Sequence, residues 1–505
     1  MLAIVPSATL LGVEGQPVCV EVHVVGGLPS YIVVGQPDTS CRESRDRVRA
    51  ALVTSALGWP LKKITVNLAP SLVRKVGASL DLPIAVGLLV AAGSLAPETI
   101  EGMGFLGELG LDGSLRAVPG VLSLADAIDT PVLVVPRASA GEALLLARHD
   151  VRAVSNLTEL VDALKGAAPW PGPPPPQPRP PEPPPPDLAD VRGHRASRFA
   201  VEVAAAGRHP LLLVGPPGAG KTMLARRLPG LLPPLTGGEA LEVTRIHSAA
   251  GLEMLSGGLL RRPPLRAPHH GASPVALVGG GSATVRPGEV SLAHRGVLFM
   301  DELAEFGAAV LDGLRQPLEE GVVRVARASL RVTMPARFLL VGAMNPCPCG
   351  DGGPPGSCRC SDAARARYRR RLSGPLLDRF DLRVEMTRPD AADLLGRDKG
   401  EPTAVVAARV AGARSVAVTR GVGANAELAG PLLDQHAALS DGAAALLDGA
   451  LRSGRLSARG LARVRAVART IADLAGSCGP LAPDHVALAL GLRAPMTSVD
   501  ARVAC

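Results

Sequence analysis

Aromatic residues are scarce, 2% of 505 positions, with Trp 2, Tyr 2 and Phe 6. Cores must therefore be built from Ala, Leu and Val, and any contact with nucleic acid has to rest on arginine rather than on stacked bases. No Lys or Arg precedes Arg42, so the basic region that opens a secretory signal is missing and export is not expected. Long hydrophobic runs are absent too. The longest uncharged apolar stretch, Leu82 to Pro97, is interrupted by Pro83, Gly87, Gly93 and Ser94, so it reads as a buried helix rather than a membrane span. Eight cysteines in a chain of this length make no disulfide framework, yet four crowd into residues 347–360; that clustering suggests a metal and a reducing, cytoplasmic setting. Neither charge dominates. Lys+Arg 54 against Asp+Glu 46 leaves a net +8, which permits a polyanionic partner without naming one.

What is present is enough for about three domains, and 47% hydrophobic with 20% charged residues excludes global disorder. From Pro169 to Pro186, 13 of 18 residues are proline. Such a segment is a linker, and as a polyproline II rod it would hold its flanks roughly 55 Å apart. Before it, strands are expected at Pro17–Val25, Ile64–Leu68 and Pro131–Val135, an amphipathic helix at Glu43–Leu57, and a short helix opened by Asn156 with Glu159 three residues on. These elements make a mixed α/β domain.

After the linker, the apolar strand HPLLLV (His209 to Val214) runs into Gly215-Pro-Pro-Gly218-Ala-Gly220-Lys221-Thr222 and then a helix. A strand, G-x-x-x-x-G-K-T and a helix form a phosphate loop: the glycines turn backbone N–H groups inward, Lys221 reaches the β and γ phosphates, and Thr222 holds Mg²⁺. A second apolar strand, GVLFMDE at Gly296 to Glu302, ends in two carboxylates. Asp301 fits the magnesium-binding acid and Glu302 the base that activates water. A third, Phe338 to Met344, ends in Asn345, placed for the γ-phosphate or the lytic water. Three strands delivering polar groups to one sheet edge make a hydrolase site for ATP.

Arg379, in SGPLLDRFDL, lies beyond the last strand and is a candidate finger for a neighbouring subunit's phosphate; pairing with Asp378 or Asp381 is the competing reading. In the arginine-rich helix Ser457–Leu474, Arg459, or alternatively Arg463, is placed to approach the nucleotide. The segment Gly321 to Pro335 reads as a hairpin carrying Arg324, Arg327 and Arg331, suited to DNA phosphates. The run Arg359 to Arg371, with six arginines and one acid, Asp362, is either a second such surface or a solvated face. His269 and His270 have no third ligand nearby in sequence, so they are read as loop-positioning residues. Cys347, Cys349, Cys358 and Cys360, two C-x-C pairs, can converge on a tetrahedral Zn²⁺, although C-x-x-C is the usual spacing. Free thiols or a disulfide are the alternatives.

Two resemblances complete the reading. Residues 75–89, KVGASLDLPIAVGLL, resemble the serine-bearing segment of the Lon proteolytic domain, with Ser79 at the nucleophile's place. Where the partnering lysine belongs stand Leu122 and Ser123, so proteolysis is not expected. Over nearly its full length the chain resembles the magnesium-chelatase-like AAA+ ATPases of the ComM/YifB family. The likeness is carried by ITVNLAPS at Ile64, DVRGHRASRFAVEVAAAG at Asp190, PHHGAS at Pro268, PGEVSLAHRGVLFMDELAEF at Pro287, AMNPCPCG at Ala343 and SGPLLDRFDL at Ser373. It implies a Lon-like α/β amino-terminal domain over residues 1–168, a proline-rich linker over 169–187, a P-loop AAA+ α/β/α module over 188–390 and a small helical lid over 391–505. It also implies a homo-hexameric ring and ATP-driven movement on single-stranded or branched DNA, including branch migration in recombination and natural transformation. By the same resemblance Lys221, Thr222, Asp301, Glu302, Asn345, Arg379 and Arg459 take the nucleotide, sensor and finger roles. The proline linker and an Ala-rich stretch at Val405–Gly423 depart from the family pattern, which leaves the start of the lid open. A motor acting on a protein partner, as in chelatases, is the alternative; it would call for a metal-binding module or acidic tail that the sequence lacks.

Overall fold

The computed structural model describes residues 1–172, 184–252, 258–281, 285–327, 330–351, 358–396 and 399–493. Most of the proline run therefore lies outside the described residues.

The amino-terminal part is built on a four-stranded mixed sheet in the order Leu2–Leu11, Glu14–Val25, Lys63–Ala69, Ser30–Val34. The first two pairings are antiparallel and the last is parallel. Leu2–Leu11 is a strand that the sequence reading does not anticipate. Pro6 disguises it, and the strand accommodates proline because it lies at the sheet edge. The apolar stretch after Leu82 does form a buried helix, Asp81–Ala91, with all of its residues inside. The helix expected at Glu43–Leu57 runs instead from Thr39 to Thr54, because the Asp38 carboxylate caps it by accepting the Cys41 N–H at 2.8 Å. A three-stranded parallel sheet, Met103–Phe105, Val132–Pro136 and Asp150–Val154, follows. It leads to the helix Leu157–Leu164, which Asn156 caps through the Glu159 N–H.

Beyond the proline run stands a five-stranded sheet in the order Leu265–Arg266, Val297–Met300, Leu339–Met344, Leu211–Val214, Leu382–Glu385, every pairing parallel. Its three central strands are buried at every position, as expected of a parallel sheet covered on both faces. Because the strands run in one direction, the loops that leave them emerge along a single edge. Those loops carry Gly215, Asp301 and Asn345.

A two-stranded hairpin, Val322–Arg327 with Leu330–Pro335, projects from this part. Its inward face, Val323, Val332 and Met334, packs with Val13 and Leu11 of the first amino-terminal turn. That approach is close enough that a Cβ on Gly12 would stand 2.3 Å from Val332. The carboxy-terminal part is helical. Thr403–Thr419 occupies the Ala-rich stretch and shares a core with Arg195–Gly207 and with Ala458–Leu474, which Ser457 caps. No helix among the described residues is long and apolar enough to cross a membrane.

Candidate functional site

The phosphate loop follows Leu211–Val214 directly. Gly218 and Gly220 take φ of 79° and 80°, a region open to glycine at no steric cost, and Gly220 precedes the helix Lys221–Ala225. Gly215 lies so close to the chain after the last strand that a Cβ would stand 2.5 Å from the Met386 carbonyl oxygen. Lys221 is 8% exposed. Its Nζ donates to the carbonyl oxygens of Gly215 at 2.5 Å and Pro216 at 3.0 Å and to Asn345 Oδ1 at 3.1 Å. Burial lowers the Lys221 pKa, and the Asp301 charge opposes that shift.

Thr222 Oγ1 donates to Asp301 Oδ2 at 2.7 Å. This hydroxyl and carboxylate are the oxygen pair that would hold Mg²⁺. The Glu302 N–H donates to Asp301 Oδ1 at 3.0 Å. Glu302 itself adopts φ of 52°, strained for a residue with a side chain, and such strain collects at functional sites. Gly215, Gly218, Gly220, Lys221, Thr222, Asp301, Glu302 and Asn345 thus gather at one sheet edge.

His270, read from the sequence as a loop-positioning residue, makes a contact here that the sequence does not reveal. Its Nδ1 lies 2.9 Å from Glu302 Oε2, and its ring centroid is 4.1 Å from that of His269. Nothing in PHHGAS marks this role, because 32 positions separate His270 from Glu302.

The arginines gather elsewhere. Arg379, with a side chain 11% exposed, pairs with Glu319 rather than with either acid proposed from the sequence. Asp378 faces Arg383 at 3.6 Å, while Asp381 takes His209 at 2.9 Å and Arg463. Burial and then the charges of Arg459, Arg463 and Arg315 lower the Arg379 pKa. Arg459 is exposed, whereas Arg463 is drawn to Asp381 and to the Arg379 carbonyl. No hydrogen bond or ion pair among the described residues joins Arg379, Arg459 or Arg463 to the phosphate loop of their own chain.

On the hairpin, Arg324 pairs with Glu320, and Arg331 is exposed. The register sets Arg324 opposite Thr333 and Arg331 opposite Ala326, so the two share a face. The Arg327 side chain lies outside the described residues. In the later basic run, Asp362–Arg370 is a helix with Tyr368 buried and Arg367 and Arg370 exposed.

The Sγ atoms of Cys347, Cys349, Cys358 and Cys360 all lie within 4.8 Å of one another. Cys347–Cys349 is 3.3 Å, and Cys358 is 3.5 Å from each. A zinc tetrahedron with bonds of about 2.3 Å has edges of about 3.8 Å, so these separations fit the ion with little movement. It is the one grouping of three or more His, Cys, Asp or Glu ligands found among the described residues; His269 and His270 form none. The serine of the Lon-like segment, Ser79, is buried and donates to the Ala8 carbonyl at 3.4 Å. Ser123, at the expected place of the lysine, donates to the Val13 carbonyl at 2.7 Å.

Comparison with known proteins agrees along the length of the chain. Residues 187–394 match the family model for magnesium chelatase, subunit ChlI. Residues 20–138 match that for subunit ChlI of Mg-chelatase, and residues 400–493 match the ChlI C-terminal model. The chain is 47% identical over 494 residues to an uncharacterized protein of Mycobacterium tuberculosis, covering 96% of this chain and 97% of the relative. It is 41% identical over 500 residues to the competence protein ComM of Haemophilus influenzae, covering 98% and 97%. With YifB of Escherichia coli the identity is 43% over 486 residues, covering 94% and 93%.

Proposed function

We propose, from the premise that this chain belongs to the ComM/YifB family of magnesium chelatase-like proteins, that it is an ATP-driven ring-shaped motor on DNA. It would act as a helicase-like branch-migration ATPase in recombination and natural transformation. The observation that carries the proposal is the convergence of Lys221, Thr222, Asp301, Glu302 and Asn345 at one edge of a parallel sheet, the side where such sheets bind ligands. In this reading Lys221 and the loop amides take the ATP phosphates, and Thr222 and Asp301 hold Mg²⁺. Glu302 accepts the proton of the attacking water, and Asn345 orients the γ-phosphate or that water. Arg379 completes the site of the next subunit in a homo-hexamer, with Arg459 approaching from the helical lid. Its separation from the phosphate loop of its own chain supports a role in trans. Arg324, Arg327 and Arg331 contact DNA phosphates.

The division into a Lon-like domain over 1–168, linker over 169–187, AAA+ module over 188–390 and lid over 391–505 belongs to the same proposal. So does a cytoplasmic location. A structural Zn²⁺ on the four cysteines is proposed from their mutual spacing. The amino-terminal domain is read as a scaffold, because Ser79 faces a backbone carbonyl and no lysine stands at Leu122 or Ser123.

The deciding experiment is the ATPase rate of the full chain with Mg²⁺, alone and with single-stranded, duplex and four-way-junction DNA. Stimulation by DNA, greatest with the junction, is expected. Hydrolysis indifferent to every DNA would favour a motor acting on a protein partner.

A further inference from the structure

The segment that carries Cys347 and Cys349 touches the phosphate loop at two points, and both thiols lie between them. The first point is Asn345, whose Oδ1 accepts from Lys221 Nζ at 3.1 Å. The second is Gly350, at φ of 87°, packed so tightly on the phosphate loop that a Cβ would stand 2.8 Å from Pro217 Cδ and 2.9 Å from its Cγ. Only glycine suits that position, for both reasons: the backbone is left-handed and the facing proline ring is rigid. Between the two points come Cys347, which is buried, and Cys349, and the turn closes through the Gly350 N–H donating to the Cys347 carbonyl at 3.0 Å. On the other side of the cluster, Arg365 Nε donates to the Cys360 carbonyl at 3.4 Å. That contact anchors the second cysteine pair to the helix Asp362–Arg370, seated in the core by Tyr368.

The geometry points to a metal-braced phosphate loop: a divalent zinc ion bound by Cys347, Cys349, Cys358 and Cys360 fixes residues 345–350, and through Asn345 and Gly350 it holds Lys221 and Pro217 in position for nucleotide phosphates. This rests on the zinc reading above and extends it from folding to control of ATP affinity. The physical reason is one of entropy. A span of six residues would otherwise have to be ordered when nucleotide binds, and a metal that orders it beforehand removes that cost from binding. Outer-shell groups that orient the ligands of a metal site are worth about 10- to 100-fold in metal affinity or activity where they are removed, and the brace would act on the phosphate loop in the same indirect way.

The test uses the purified, tag-free full chain, its metal content by elemental analysis, and equilibrium binding of a fluorescent ATP analogue with Mg²⁺. About one zinc per chain is expected. Removing it with a thiol-directed mercurial followed by a chelator and reductant should weaken nucleotide binding about tenfold, and adding zinc chloride should restore it. Gly350→Ala separates the brace from the ion: it should keep its zinc and still bind nucleotide more weakly, because the new Cβ displaces Pro217. Circular dichroism on the stripped protein checks that the fold persists. Zinc-loaded and stripped proteins of equal nucleotide affinity, or a Gly350→Ala variant that binds as the parent does, would overturn the brace while leaving the ion in place. Protein that neither contains zinc nor takes it up would overturn the metal reading beneath it.

Discussion

Lys221 donates to three oxygens, and Thr222 is held by Asp301; both are arranged so that phosphate and Mg²⁺ meet groups already in place. Removing the Lys221 ammonium takes away the one buried cation of the loop, so Lys221→Ala should abolish nucleotide binding. Glu302→Gln keeps the shape and loses only the proton acceptor. It should bind ATP normally while kcat falls by about 10²- to 10⁴-fold, the range for a general base. Because His270 holds the same carboxylate at 2.9 Å, His270→Ala should follow it with a smaller loss in kcat and an unchanged KM. Steady-state kinetics with a direct binding measurement separates the three. Full turnover by Glu302→Gln would assign the base to another residue.

At the level of elements, two connections bear on function. The first is the hairpin, whose inner face packs on the turn around Gly12 while Arg324 and Arg331 share the outer face. If that face meets DNA, replacing both arginines with alanine should weaken binding regardless of sequence and reduce the slope of log affinity against log salt by about 2. An unchanged slope would move the contact to the helix after the cysteines. The second is a buried polar chain between the last sheet strand and the helix Ala458–Leu474: His209 bridges Asp381 at 2.9 Å and Thr470 at 2.8 Å, and Asp381 also pairs with Arg463. Burial alone would raise the Asp381 pKa, but His209 and Arg463 outweigh it and pull the pKa below the ordinary carboxylate value. A carboxylate with a depressed folded pKa stabilises fully above its unfolded value, about 3.9, and loses that contribution as acid protonates it. Asp381→Ala should therefore cost about 3 kcal/mol near neutral pH, where it strands His209 and Arg463. In denaturant titrations that difference should shrink below about pH 4.

For the molecule as a whole, the separation of the arginines from the phosphate loop is the feature with the largest consequence. Arg379 pairs with Glu319, Arg463 pairs with Asp381, and Arg459 lies near enough to act on Arg379 by its charge; on the proposed reading, a complete site would need a second copy of the chain. A trans arginine is worth about 10³- to 10⁵-fold in phosphoryl transfer. Arg379→Ala and Lys221→Ala proteins should each be nearly inactive alone. Mixed, they should recover activity at interfaces where the loop of one copy meets the intact arginine of the other. A monomeric Arg379→Ala protein with normal turnover would remove the ring from the account.

The phosphate loop, the paired carboxylates after an apolar strand, the hairpin and the two C-x-C pairs were legible in the sequence. Each is a local pattern in which backbone geometry or spacing within a few residues dictates the chemistry. The strand Leu2–Leu11 and the true start of the helix at Thr39 were local too, but Pro6 and Asp38 sent signals that depend on edge position and on capping. Only the tertiary structure brought His270 to Glu302, Arg379 to Glu319 instead of its neighbours, and Gly350 to Pro217. Those pairings join residues separated by 32, 60 and 133 positions. The first and last follow from the order in which parallel strands stack, which places loops distant in the chain along one edge, and the second from the packing of the helix Arg315–Glu320 against the segment before the last strand; neither periodicity nor spacing encodes either.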